Sequence, residues 1–387
     1  MAWFVAAVAS VALAMPAAAC FGQPAPLPCP HTATPVINAA PRPTPPPADP
    51  VHRAVGGDQL ATSGLVIPSG APPPPAVTAT SWLVADLSSG AVLGGCGPHE
   101  YGAPASVQKL LLVAALLGKL DPQQVVAVTD EDLQFEPGSS AAGLVSGGRY
   151  PVEALWLGLL LVSGNDAANV LARVGGGAAG LEGGVEAMNS EAKRLGAWQT
   201  HAVTPSGLDG PGQFTSAYDL ALITRACFAY PDFRRYALTP EATMPAQPHL
   251  RREGFPIENQ NRLIDGYPGG LGGKTGFTDL ARHTYVGAAE RNGRRLVVTL
   301  LGAESVPWQG WQQGAALLDW GFGLPAGALV GRLVDPEQPP VSPSRADAAG
   351  NALVTAGAKA PFIAIGMGVA VAGVALSALA RRRRRRL

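Results

Sequence analysis

At 387 residues with only 14 % charged side chains, 48 glycines and 37 prolines, the chain holds one large or two ordinary domains, with part of it outside any packed core. Six of its 28 basic residues form the run Arg381–Arg386, leaving 22 against 28 acidic residues. That balance excludes a nucleic-acid-binding footprint, which needs a basic face. The first nineteen residues, MAWFVAAVASVALAMPAAA, are apolar and end with Ala17 and Ala19 in the A-x-A pattern of a secretory signal peptide, although Lys and Arg are missing from its start. Cys20 follows directly, but Ala17-Ala18-Ala19 lacks the Leu of a lipidation signal, so simple cleavage is the expectation. Residues 20–75 are rich in Pro, Ala and small polar residues and read as a semi-extended spacer.

Order is expected from about residue 76. Trp82–Asp86 and Ala91–Leu93 read as two strands around Ser88-Ser89-Gly90. Helical patterns follow near 105–118, 153–162, 166–174, 184–196 and 216–229, the last opening on Ser216-x-x-Asp219. HTYVGAAERNGRRLVVTLL contains two strands joined by Asn292-Gly293, a strong hairpin signal. The amphipathic segment 308–320 is expected to pack on that hairpin. Strands at both ends with helices between predict one α+β unit over 76–330, with an antiparallel sheet. Residues 331–360 read as a second linker. Pro361–Ala380 carries no charge and is long enough for one membrane span. The arginines that follow place residues 381–387 in the cytoplasm and the domain outside. Cysteines 20, 29, 96 and 227 allow three full pairings; Cys29–Cys96 would tie the N-terminal segment to the domain, and Cys227 reads as buried and unpaired.

Two Ser-x-x-Lys pairs occur, and their surroundings differ. Around Ser190 and Lys193, the residues Val185, Met188, Ala192 and Leu195 form one apolar stripe, with Ser190 on the opposite, solvated face. Nothing there would make Lys193 a base. After Ser106 and Lys109, by contrast, Leu110–Leu117 is apolar on every side, so this helix is buried. Ser106 then sits at a helix N-terminus, where backbone N–H groups favour negative charge. Burial disfavours the charged form of Lys109 and can leave it able to act as a base. Ser163-Gly164-Asn165 stands 57 residues beyond Ser106 and Lys274-Thr275-Gly276 a further 111 along; each triplet is unique in the chain. The ordered set carries far more weight than any member.

On these motifs, together with GLDGPGQFTSAYDLALI at 207–223, the chain resembles the low-molecular-mass penicillin-binding proteins, the serine D-alanyl-D-alanine carboxypeptidases, in particular the membrane-anchored actinobacterial type. The resemblance spans roughly residues 78–325. It implies a penicillin-binding/β-lactamase-like transpeptidase fold: a five-stranded antiparallel sheet flanked by helices, plus an all-helical subdomain. It implies further that Ser106 is the nucleophile, Lys109 its base and Ser163 a proton relay. Asn165 would bind the substrate backbone, and Lys274 and Thr275 its terminal carboxylate. Gly276 would let the strand approach the ligand, and the N–H groups of Ser106 and Phe277 would form the oxyanion hole. Implied partners are peptidoglycan stem peptides and, as inhibitors, β-lactam antibiotics; no cofactor or metal is implied. The basic residue that relatives often carry after the last hairpin strand is missing from Gly302–Gly310.

A class A β-lactamase would need a deacylating Glu after the Ser-x-Asn triplet, and Leu195–Leu208 holds no acidic residue. Endopeptidase or transpeptidase action on the same polymer, and a non-catalytic penicillin-binding scaffold, use the same motifs. GGGAAG at 175–180 fits a dinucleotide-binding spacing but follows a helix, so it reads as a loop. His283 reads as a strand residue.

Overall fold

The computed structural model describes residues 26–34 and 44–336. The expected signal segment and membrane span lie outside these. No helix among the described residues is long and apolar enough to cross a membrane.

Five strands form the body of the antiparallel sheet: β1 (Ser81–Asp86), β2 (Ala91–Cys96), β3 (Gly270–Thr278), β4 (Arg282–Arg291) and β5 (Arg294–Ala303), in the order β2-β1-β5-β4-β3. The N-terminal hairpin β1–β2 thus meets the C-terminal hairpin β4–β5 through β1 and β5, with Leu296 opposite Asp86 and Leu301 opposite Ser81. Asn292 and Gly293 both take positive φ in the predicted turn. Side chains alternate between faces as strand geometry requires. Trp82, Val84, Leu296, Val298 and Leu300 face helix α7 (Gly310–Gly323), in a cluster completed by Leu317, Leu318 and Trp320. Leu83, Ala85, Val297 and Leu301 face the other way, into the larger core built with the helices.

Those helices are α1 (Lys109–Leu116), α2 (Val152–Leu161), α3 (Asn165–Gly175), α4 (Gly180–Leu195), α5 (Ala217–Ala229) and α6 (Pro231–Leu238). Every residue of α1 is buried, so a helix apolar all round sits at the centre of the helical layer. A 3-10 turn, Ala105–Gln108, precedes it and packs against β3 and β4. The Ser216 side chain caps α5 by accepting from the Asp219 N–H, as predicted. In α4, Met188, Ala192 and Leu195 are buried while Ser190 and Lys193 are exposed.

Three expectations about extent are corrected. Strand β2 runs to Cys96 rather than Leu93 because Gly94 passes under the Trp320 ring; a Cβ there would meet it at 2.6 Å. The proline-rich segment is not a free spacer over its described part. Leu60 is fully buried, Leu65–Val66 pairs with Gly95–Cys96, and Thr32 donates to the Val77 carbonyl. Arg53 pairs with Glu100, and a Cys29–Cys96 disulfide closes the arm onto β2. At the far end, Gly331–Arg332 pairs with Ala91–Val92 and Leu333 is buried, so the second linker begins beyond the expected residue 331. Cys227 is free and buried, as read from the sequence.

Candidate active site

Three elements converge on one cleft. The 3-10 turn supplies Ser106, the α2–α3 corner supplies Ser163 and Asn165, and β3 supplies Thr275, Gly276 and Phe277. Together with Ser139, Ser140, Leu208, Gln260, Thr278 and His283 they line a cavity of about 420 Å³.

Lys109 lies immediately behind Ser106 and is fully buried. Its Nζ stands 2.8 Å from each of three oxygens: Ser106 Oγ, Asn165 Oδ1 and the Ser206 carbonyl. The last two can only accept. A neutral amine satisfies the set by donating to those two and accepting the Ser106 hydroxyl proton with its lone pair. Electrostatics favour that form. Burial pushes the Lys109 amine well below the usual lysine range, and the nearby Lys274 cation pushes it further, against a smaller opposing pull from Asp166. Lys274 is itself 1 % exposed and is pushed down to about 7 by burial. Its Nζ donates to the Thr275 carbonyl at 2.8 Å. Lys274 therefore sits beneath the cavity lining, whereas Thr275 and Phe277 are part of that lining.

Ser163 is buried with φ +61°, a left-handed conformation that a non-glycine residue holds only under constraint. Its Oγ has no hydrogen-bond partner among the described residues although it lines the cavity. A buried hydroxyl kept unpaired and strained at a cleft wall is available to a ligand. Asn165 is more committed than expected. Its Oδ1 receives Lys109 and its Nδ2 donates to Ser139 Oγ at 2.9 Å, so most of its polar capacity is spent on positioning.

Gly276 lies against the nucleophile turn. A Cβ there would stand 2.4 Å from Thr284 Oγ1 and 2.8 Å from the Ser106 backbone nitrogen. The Thr284 hydroxyl donates to the Pro104 carbonyl at 2.8 Å, tying β4 to the turn before Ser106. Ala105 has φ +48° and is packed against Gly207. Across the mouth, the Thr278 hydroxyl donates to Asp209 at 2.7 Å. His283 is half-buried, tilted against Phe277 with ring centroids 4.7 Å apart, and burial lowers its pKa.

Asp166 was not singled out in the sequence. Its carboxylate accepts from the N–H groups of Ala142, Gly143 and Leu144 at 2.7–2.9 Å and so fixes the loop that carries Ser139 and Ser140. An acidic residue in a first helical turn looks like an ordinary dipole partner; only the folded chain brings the loop to it. Arg282 is held bidentately by Glu304 at 2.9 and 3.0 Å. Among the described residues lining this cavity, His283 is the one titratable side chain.

Residues 69–305 match the family of D-alanyl-D-alanine carboxypeptidases. The chain is 45 % identical over 273 residues to the D-alanyl-D-alanine carboxypeptidase DacB2 of Mycobacterium tuberculosis, covering 69 % of this chain and 90 % of that protein. It is 33 % identical over 261 residues to DacD of Escherichia coli, covering 65 % of this chain and 64 % of the relative. Among solved structures, a Mycobacterium tuberculosis D-alanyl-D-alanine carboxypeptidase superposes with TM-score 0.65 at 43 % identity, over 69 % of this chain and all of that one. The Streptomyces K15 DD-transpeptidase superposes with TM-score 0.62 at 25 % identity, over 65 % of this chain and 99 % of that one. With a buried lysine against a cleft serine on this fold, the chain belongs to the D-alanyl-D-alanine carboxypeptidase family of serine peptidases.

Proposed function

We propose that the protein removes the terminal D-Ala from peptidoglycan stem pentapeptides through a Ser106 acyl-enzyme. The observation that carries this reading is the fully buried Lys109 amine 2.8 Å from Ser106 Oγ. Lys109 takes the hydroxyl proton as Oγ attacks the carbonyl of the penultimate D-Ala. The developing oxyanion is held by the N–H groups of Ser106 and Phe277. The peptide C–N bond then breaks, and the departing D-Ala amine takes a proton relayed by Ser163, whose hydroxyl lacks another partner. Water attacks the resulting ester with Lys109 again as base, which frees the tetrapeptide carboxylate and restores Ser106. Thr275 receives the substrate's terminal carboxylate, and Lys274 supplies positive potential from beneath while keeping Lys109 neutral. A penicillin acylates Ser106 by the same attack and is hydrolysed slowly, since the segment 195–208 offers no carboxylate to activate water.

The same reading places the domain outside the cytoplasmic membrane, in cell-wall biogenesis and the maintenance of cell shape. Residues 1–19 act as the export signal and 361–380 as a single-pass anchor; the charge-free run abutting six arginines supports this. Transfer of the acyl group to an amine of a second stem peptide is the closest alternative, favoured by the likeness to the Streptomyces transpeptidase.

The test is the purified chain with a fluorescent penicillin and a D-Ala-D-Ala-terminated pentapeptide. A stable adduct and D-Ala release are expected, both lost in Ser106→Ala. An adduct that survives Ser106→Ala overturns the assignment. A cross-linked peptide dimer offered beside the pentapeptide separates carboxypeptidase from endopeptidase action.

A further inference from the structure

A second and larger cavity, about 750 Å³, adjoins the catalytic cleft and shares Leu208 with it. Helix α4 forms one wall, presenting the exposed residues Glu182, Glu186, Ser190 and Lys193. The segment His201–Leu208 forms another, and Gln134 and Phe135 close the side. These walls are fixed by internal bonds. Asn189 exchanges two hydrogen bonds with the backbone of Ala202, at 2.8 and 2.9 Å. Gln213 Oε1 accepts from the Val203 and Thr204 N–H groups. The Gln134–Phe135 side is anchored through Asp132, which binds Arg173 bidentately at 2.7 Å.

The groove is electrically polar along its length. Glu182 and Glu186 stand in the first two turns of α4, and Lys193 stands in its last turn. At 1.5 Å per helical residue, Lys193 lies roughly 10 Å from Glu186 and roughly 16 Å from Glu182 along the axis. An extended peptide advances about 3.3 Å per residue, so three to five residues separate an amine at one end from a carboxylate at the other. Phe135, Val185 and Leu208 add apolar surface to the lining.

We propose that this groove is a second peptide-binding subsite. It takes a segment of three to five residues with its ammonium at Glu182 and Glu186 and its carboxylate at Lys193. Occupancy is felt at the catalytic lysine through Ser206, which lines the groove while its carbonyl receives Lys109. The inference rests on the proposed action on a peptide-bearing polymer, and it makes that polymer engage the enzyme at two places. The Ser190 and Lys193 pair, dismissed as a catalytic motif, becomes part of the binding surface.

The experiment uses the full chain, first acylated with benzylpenicillin so that the catalytic cleft is filled, and titrates it calorimetrically with penta-L-alanine. The expected result is one site per chain, bound equally before and after acylation. N-acetylating the peptide or introducing Glu182→Gln with Glu186→Gln weakens binding at least tenfold, and C-amidation or Lys193→Met does the same. Bound peptide also changes the benzylpenicillin acylation rate at least twofold in the natural chain and not in the Glu182→Gln, Glu186→Gln variant. All three substituted side chains are solvent-facing, so folding is unaffected. The proposal is overturned by no binding, by binding lost on acylation, by indifference to capping of the peptide, or by a chitin oligosaccharide binding in its place. Acylation is scored separately by mass; its absence counts against the Ser106 reading, while the titration of unacylated protein still decides the groove.

Discussion

Gly207 packs so tightly on Ala105 that a Cβ at position 207 would stand 1.9 Å from the Ala105 carbonyl oxygen. Gly207 also has φ +86°, which disfavours any other residue. One residue earlier, the Ser206 carbonyl receives Lys109; one residue after Ala105 stands Ser106. Gly207→Ala must therefore displace the nucleophile turn or the carbonyl that orients its base. A loss of penicillin acylation rate of about 100-fold is expected, of the order seen when a ~1 Å misplacement disturbs a reacting pair. Stopped-flow acylation measures it, and a rate within twofold of the natural chain would show that this contact does not set the geometry.

Lys274 governs the pH at which Lys109 becomes a base. The Lys274 cation disfavours the charged form of Lys109, so removing Lys274 raises the Lys109 pKa and with it the fraction protonated at any given pH. The acid limb of the acylation profile in Lys274→Met is expected to move to higher pH, with a lower plateau from the lost substrate contact. A profile whose midpoint stays put would mean that burial alone depresses Lys109.

Ser163 separates stability from turnover. A left-handed non-glycine residue costs about 1–2 kcal/mol, partly offset by the extra unfolded-chain freedom of glycine. Ser163→Gly is therefore expected to hold or raise Tm by about 2 °C while lowering D-Ala release at least tenfold. Calorimetry and a D-Ala assay on one preparation give both numbers; loss of stability with retained release would contradict the relay.

The disulfide closes 67 residues of chain between Cys29 and Cys96. A loop of that size is worth about 4 kcal/mol in the chain-entropy account. Cys29→Ser with Cys96→Ser is expected to lower stability by roughly that amount and to speed proteolysis near Leu65, with Ser106 acylation intact at low temperature. Denaturant unfolding and limited proteolysis check it.

The chemistry was legible in the sequence because it is local: Ser106 and Lys109 share a helical turn, and two unique triplets accompany them. The long strands were legible where alternation and Asn292-Gly293 declared them. Strand β3 declared nothing, since Gly270, Gly272, Gly273 and Gly276 replace the usual β-formers. It is held by pairing to β4, with positive φ at Gly272 and Gly273. Helix α6 has the Pro231 start that marks a first turn, but its eight residues give too short a period to stand out. The arm around Leu60 was hidden by its proline content, because what fixes it is burial of Leu60 and pairing of Leu65–Val66 with Gly95–Cys96, contacts distant in sequence, rather than its own propensity. Asn165 and Asp166 show the remaining limit: their partners in 139–144 come from a loop no spacing rule connects to them.

The sheet's two borders are treated differently. Along β2, the short strands Leu65–Val66 and Gly331–Arg332 occupy the outer hydrogen-bonding positions, so that flank offers little to an incoming chain. Along β3, helix α6 covers the first half, where a Cβ at Gly272 would meet the Ala237 carbonyl at 2.4 Å, and the half from Thr275 to Thr278 faces the catalytic cavity. Unpaired strand borders invite self-association. Here the open stretch is four residues long and lies beside Ser106. The surface that would template aggregation is thus confined to the place where an extended substrate can lie, and a bound peptide or a penicillin adduct should make the folded protein more resistant to aggregation as well as inactive.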